Sequence, residues 1–223
     1  MRRGDLVKLI DHTLLRPGAT ETEIAALVRD AREYGFHAVC VNPFYVRLTK
    51  RLLEGSGVKV CTVIGFPLGA TLPGVKAREA EIVGRAGADE VDMVINIGAL
   101  KSGMDDIVYD DIRAVVRSFK SVVPKGVVKV ILEVGLLSRE EIEAACLAAE
   151  EAGADFVKTC TGFGPRGATV EDVALLKRLV GGRLGIKAAG GIRSYEQALR
   201  LIEAGATRIG TSSGVKIAKE APE

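Results

Sequence analysis

Short apolar runs rich in valine and isoleucine alternate along this chain with longer, charged, alanine-rich segments of helical periodicity. The apolar runs fall at 9–13, 37–41, 59–65, 90–96, 128–134, 155–160, 184–189 and 207–211. The helical segments fall at 21–34, 43–54, 73–86, 104–121, 138–152, 169–181 and 194–204. Thr20 with Glu23, and Ser138 with Glu141, stand at capping-box spacing ahead of two of them.

One junction recurs between helix and run. It reads AGADEVDM at 86–93, AGADFVKT at 152–159 and AGATRIGT at 204–211, with a looser YGFHAVCV at 34–41. Glycine straight after a helical segment supplies the left-handed residue that ends a helix. The predicted unit is therefore helix, tight turn, strand. Eight such strands predict a parallel sheet covered by helices. The fold class is α/β, a single (β/α)8 TIM barrel spanning 1–223, with a short helical addition at 2–8 covering one end. An open doubly wound sheet is the rival. It lacks support because no GxGxxG follows the first run.

Composition narrows the function. The chain is 48% hydrophobic and 27% charged, with a net charge of +2 and only 4% aromatic residues. Such a balance gives no electrostatic case for nucleic acid or membrane partners, and few rings on which bases could stack. No stretch is long and apolar enough for a membrane span, and no signal sequence opens the chain, so a cytoplasmic location is expected. The cysteines at 40, 61, 146 and 160 form no CxxC pair and have two histidines for company, which predicts reduced thiols and no metal site.

Alternation along the strands locates the chemistry. In EVDMVIN, Asp92 and Asn96 oppose the apolar face and point into the barrel. Lys158 shares a face with Phe156 and Cys160, Lys187 with Ala189, and Lys129 with Ile131 and Glu133. Ionised groups in a packed interior are costly unless paired. A buried ion-pair network would account for any one of Asp92, Glu133, Lys158 and Lys187. Two lysines and an aspartate on three strands suit catalysis better, because barrel sites draw residues from several strand ends. A neutral lysine attacks a carbonyl to form a Schiff base, a second cation favours that neutral form, and a carboxylate moves the protons. Alternation alone does not rank the two lysines.

Glycine-bearing loops follow the last three runs: TGFGPRG at 161–167, GGIR at 190–193 and TSSG at 211–214. Backbone amides there suit a phosphate.

These motifs together resemble deoxyribose-phosphate aldolase. The resemblance runs from LIDHTLL at 9–15 through VCVNPFYV at 39–46, CTVIGFPLG at 61–69, EVDMVINIGAL at 90–100, KVILEVGLL at 129–137, DFVKTCTGFG at 155–164 and GIKAAGGIR at 185–193 to RIGTSSG at 208–214. It implies a (β/α)8 barrel, no cofactor, a small sugar-phosphate substrate and a homo-oligomer. It implies that Lys158 is the Schiff-base lysine, Lys187 the second lysine that lowers the first one's proton affinity, and Asp92 the proton-transfer carboxylate. Asp11 stands near that relay. Gly162, Gly190, Gly191, Gly210, Ser212 and Ser213 would hold phosphate, and Thr161 a sugar hydroxyl. Two positions depart from the family pattern. Phe163 replaces a lysine found in some members, which shifts phosphate neutralisation onto backbone amides and Arg193. The segment after Tyr195 has no tyrosine to reach the site, as some members have. Another Schiff-base sugar-phosphate aldolase, or a sugar-phosphate-binding barrel without turnover, remains the alternative.

Overall fold

A computed structural model describes residues 1–223. Eight strands close into one parallel barrel in chain order. They are β1 Ile10–Leu14, β2 Ala38–Val41, β3 Lys59–Ile64, β4 Glu90–Val94, β5 Val127–Ile131, β6 Phe156–Lys158, β7 Gly185–Ala189 and β8 Arg208–Thr211. The helices are α1 Arg3–Val7, α2 Glu21–Tyr34, α3 Val46–Leu52, α4 Pro73–Ala86, α5 Ile97–Lys101, α6 Asp105–Val122, α7 Arg139–Glu151, α8 Val170–Val180, α9 Tyr195–Glu203 and α10 Gly214–Glu220. The TIM barrel expected from the sequence is the fold observed. The short α5 and the terminal α10 escape the periodicity because each has only one or two turns. No helix is long and apolar enough to cross a membrane.

The repeated junction has a physical basis. Gly87, Gly153 and Gly205 take φ of 111°, 82° and 123°, which ends α4, α7 and α9. Two residues on, a polar side chain clasps the second residue of the preceding strand. Asp89 accepts from Val60 N at 2.9 Å, Asp155 from Val128 N at 2.8 Å, and Thr207 Oγ1 from Ile186 N at 3.2 Å. Each junction thus fixes the register of β3 with β4, β5 with β6, or β7 with β8. The two anticipated capping boxes form, Thr20 with Glu23 and Ser138 with Glu141. Each N-cap contributes about 1 kcal/mol.

Apolar residues divide into two cores. The larger lies between strands and helices and holds Val39, Val60, Met93, Val130, Val157 and Ile186. The smaller, of Leu15, Ala38, Cys40, Cys61 and Val63, fills one side of the barrel interior. The opposite side is occupied by charge.

Candidate active site

Inward positions of six strands bring together three carboxylates and four cations: Asp11, Glu90 and Asp92 against Lys129, Lys158, Lys187 and Arg208, all buried. Asp92 is the hub. Its Oδ2 accepts from Lys158 at 2.9 Å and from Lys187 at 2.8 Å, and its Oδ1 accepts from Lys129 at 2.9 Å. Asp11 binds Lys187 through Oδ2 and Arg208 through Oδ1, the latter at 2.9 Å. Below them Glu90 Oε2 meets Lys129 at 2.6 Å and Arg208 at 2.9 Å. Arg208 also lies over the Phe156 ring, 5.3 Å from its centre.

Burial works against the charges of Asp11, Glu90, Asp92, Lys129, Lys187 and Arg208, and the pairing outweighs it. Asp92 is held well below the ordinary carboxylate value because Lys129, Lys158 and Lys187 outweigh its desolvation. Asp11 is lowered against its own burial by Lys187, Lys129 and Arg208. Burial pulls Lys187 down, but Asp11 and Asp92 raise it above an ordinary lysine. Lys129 is raised well above that value for the same reason, chiefly by Asp92.

The lysines differ in one respect. A cavity of about 320 Å³ opens at the C-terminal mouth of the barrel, and Lys158 lines it while Lys187 and Lys129 do not. Thr161, Gly162, Gly190, Gly191, Arg193, Gly210 and Ser212 line the same cavity. Ser213 does not. It lies in an adjoining groove, and its N–H donates to Thr211 Oγ1 at 2.9 Å. Thr211 in turn donates to Ile192 O at 2.7 Å, tying together the loops after β7 and β8. Gly190 has φ of 91°, and a Cβ there would come within 3.0 Å of Gly167 Cα. Phe163 meets Phe66 edge to face at 5.4 Å on the rim.

Two expectations about inward residues need correction. Glu133 is buried, yet it stands apart from the lysine cluster. β5 ends at Ile131, so strand alternation no longer governs it, and its φ is 57°. Its carboxylate accepts from Thr161 N at 3.2 Å and from the Thr161 hydroxyl. That hydroxyl also accepts from Phe163 N at 3.0 Å, so Thr161 is engaged within its own loop. Asn96 lies past the end of β4 and caps α5 through Ala99 N at 3.1 Å.

Glu90, Arg208 and Arg16 are not among the residues read from the sequence, and Lys129 enters there only through the face it shares with Glu133. Glu90 and Arg208 alternate in phase with Asp92 and Gly210, so the same rule reaches them. Arg16 lines the cavity just past β1 and pairs with Glu23. Cys40, Cys61 and Asp92 bring one ligand atom each within 4.8 Å of the others. Three ammonium groups already hold Asp92, and their charge opposes a cation there.

Lysines gathered inside a closed parallel barrel, beside a glycine-lined mouth, define a barrel protein with a lysine-centred site. Residues 6–220 match the family model described as DeoC/LacD family aldolase. A deoxyribose-phosphate aldolase of Geobacillus sp. (strain WCH70) is 56% identical over 214 residues, covering 96% of this chain and 95% of that one. One of Streptococcus gordonii is 57% identical over 214 residues, with 96% of each covered. The structure titled "Unique tetrameric structure of deoxyribose phosphate aldolase from Aeropyrum pernix" superposes with a TM-score of 0.91 at 41% identity, over 97% of this chain and 91% of that one. The chain belongs to the DeoC/LacD aldolase family and is a carbon–carbon lyase of the class I type.

Proposed function

We propose that this enzyme reversibly cleaves 2-deoxy-D-ribose 5-phosphate to acetaldehyde and D-glyceraldehyde 3-phosphate through a Schiff base on Lys158. The carrying observation is that Lys158 alone of the three clustered lysines lines the cavity, with Asp92 2.9 Å behind it. The relatives' names supply the substrate.

The charge count supports the role. Three carboxylates face four cations, so the cluster balances when one lysine is neutral. Lys158, at the edge of the cavity, is the one placed to exchange a proton with solvent or substrate. Its neutral amine adds to the substrate's aldehyde carbon C1, and water leaves to give the iminium. The C3 hydroxyl gives its proton to water in the open cavity, the C2–C3 bond breaks, and its electron pair forms the C1=C2 bond of an enamine. Glyceraldehyde 3-phosphate departs. Protonation at C2 and hydrolysis then release acetaldehyde and restore Lys158. Asp92, held as an anion by its lysines, accepts hydrogen bonds from Lys158 and Lys187 and so orients the nucleophile beside the cavity. Lys187, held charged by Asp11 and Asp92, is the fixed cation beside the nucleophile.

The amides of Gly162, Gly190, Gly191, Gly210 and Ser212, with Arg193, form the phosphate end of the cavity. Ser213 backs that loop through Thr211. No cofactor enters this chemistry. Residues 1–223 are read as one barrel domain working in the cytoplasm, a setting consistent with four free buried cysteines. A homo-oligomer is supported by the tetrameric relative and by Phe44, Leu72, Val75 and Ile82, which are exposed around α3 and α4. Sedimentation should give a mass above the 23.6 kDa of one chain.

The substrate is tested by incubating the enzyme with 2-deoxyribose 5-phosphate and reading acetaldehyde with an NADH-linked dehydrogenase. Acetaldehyde release that falls steeply with unphosphorylated 2-deoxyribose supports the assignment. Absence of release from the phosphorylated sugar contradicts it.

A further inference from the structure

We propose that His37, at the closed end of the barrel, is a positioning residue for the reaction at the open end. It sets how Glu90 shares Lys129 with Asp92, and so the charge around Lys158. The proposal deepens the Schiff-base reading and rests on it.

The repeated junction singles His37 out. In 34–41 it occupies the slot that Asp89, Asp155 and Thr207 hold in the other three. Those side chains clasp the neighbouring strand's backbone. His37 instead turns to Glu90, with Nε2 2.9 Å from Oε1. The other Glu90 oxygen holds Lys129 at 2.6 Å, Lys129 reaches Asp92 Oδ1 at 2.9 Å, and Asp92 Oδ2 holds Lys158 at 2.9 Å. An unbroken chain of polar contacts therefore runs through the barrel core from His37 to Lys158.

Every interior member of that chain is buried, whereas the His37 side chain is 29% exposed. It lines a recess at the closed end, with Lys8 following α1 and Lys59 opening β3. The charged groups facing it are thus Lys8, Lys59 and Glu90, with Arg208 of β8 on the far oxygen of Glu90. Histidine is the side chain whose charge ordinarily changes between about pH 5 and 8.

A cationic His37 adds a third cation to Glu90, beside Lys129 and Arg208. Glu90 then binds Lys129 less tightly, and Lys129 turns more fully to Asp92. Asp92 has less to offer Lys158, and the added positive charge also opposes an ammonium there. Both effects favour the reactive amine on the acid side, extending activity to lower pH.

The test uses acetaldehyde and cyanoborohydride. The rate of adduct formation is measured from about pH 5 to 8 for the wild type and for His37→Gln. Glutamine keeps a donor toward Glu90 but cannot charge. Circular dichroism checks the fold, and His37→Asn replaces the variant if it does not fold. With each profile scaled to its own plateau, the variant's acid limb should lie about half a pH unit higher, roughly a threefold lower rate at the acid end. Superposed profiles overturn the proposal, as does a loss equal at every pH, which a purely structural role would give. A wild type that forms no adduct at any pH takes the Schiff-base reading down with it. A wild type that reacts, with superposed profiles, overturns only the part given to His37.

Discussion

Lys158 and Lys187 are register partners across β6 and β7, and both donate to the same oxygen of Asp92. They are nevertheless not equivalent. Lys187 also holds Asp11 and is closed off from the cavity, while Lys158 lines it.

The two lysines should therefore separate in mutagenesis. Lys187→Leu strips a partner from both Asp11 and Asp92 and leaves buried carboxylates underpaired, a cost of about 3–5 kcal/mol. Lys158→Leu leaves Asp92 with Lys129 and Lys187 and removes the surplus cation, so stability should hold within about 1 kcal/mol. Urea unfolding measures the first difference. Aldol activity should vanish in Lys158→Leu despite its intact fold.

The charge cluster also sets the pH range of stability. Asp11, Glu90 and Asp92 all have folded-state values below their unfolded ones, against the opposing effect of burial, because cations surround them. Their contribution is fully present above the ordinary carboxylate range of about 4 and is lost as pH falls below it. Lys129 and Lys187 are raised, so their contribution is complete below the ordinary lysine value of about 10.4 and is lost only as pH climbs through their folded values. Unfolding free energy measured against pH should be flat near neutrality and fall steeply below about pH 4.

At the phosphate end, Gly190→Ala should act on binding and on stability together. Its φ is 91°, and Gly167 Cα would lie 3.0 Å from the new Cβ. The backbone strain should cost about 1–3 kcal/mol. KM should rise for 2-deoxyribose 5-phosphate and change little for 2-deoxyribose, since only the former uses the loop amides.

Thiol reactivity should follow burial. Burial pushes the Cys146 thiol up to about 12 and the Cys160 thiol up to about 11. Cys40 and Cys61 sit inside the barrel. Ellman's reagent should find no fast thiol in the native protein and four after denaturation, with a fast-reacting native thiol as the contrary result.

Much of this was legible in the sequence. The repeated junctions mark the starts of β2, β4, β6 and β8, because glycine ends the helix each time, and Asp89, Asp155 and Thr207 then clasp the preceding strand. Inward Asp92, Lys158 and Lys187 followed from strand alternation. That rule failed for Glu133 and Asn96, which stand past the last paired residue of their strands, where the pleat no longer dictates direction. His37, Glu90 and Arg208 were hidden for a different reason. His37 stands just before β2, and although alternation turns Glu90 and Arg208 inward, only closure of the barrel brings the first residues of β4 and β8 together. Which lysine faces the cavity likewise depends on depth within the barrel, because Lys158 ends β6 whereas Lys187 is central in β7.

Lys158 is the residue proposed to carry the substrate. Incubation with acetaldehyde and borohydride, followed by digestion and peptide mass analysis, tests it directly. One reduced two-carbon adduct is expected, on the peptide containing Lys158 and absent in Lys158→Leu. An adduct confined to Lys187, or none on a folded and otherwise active enzyme, would contradict it.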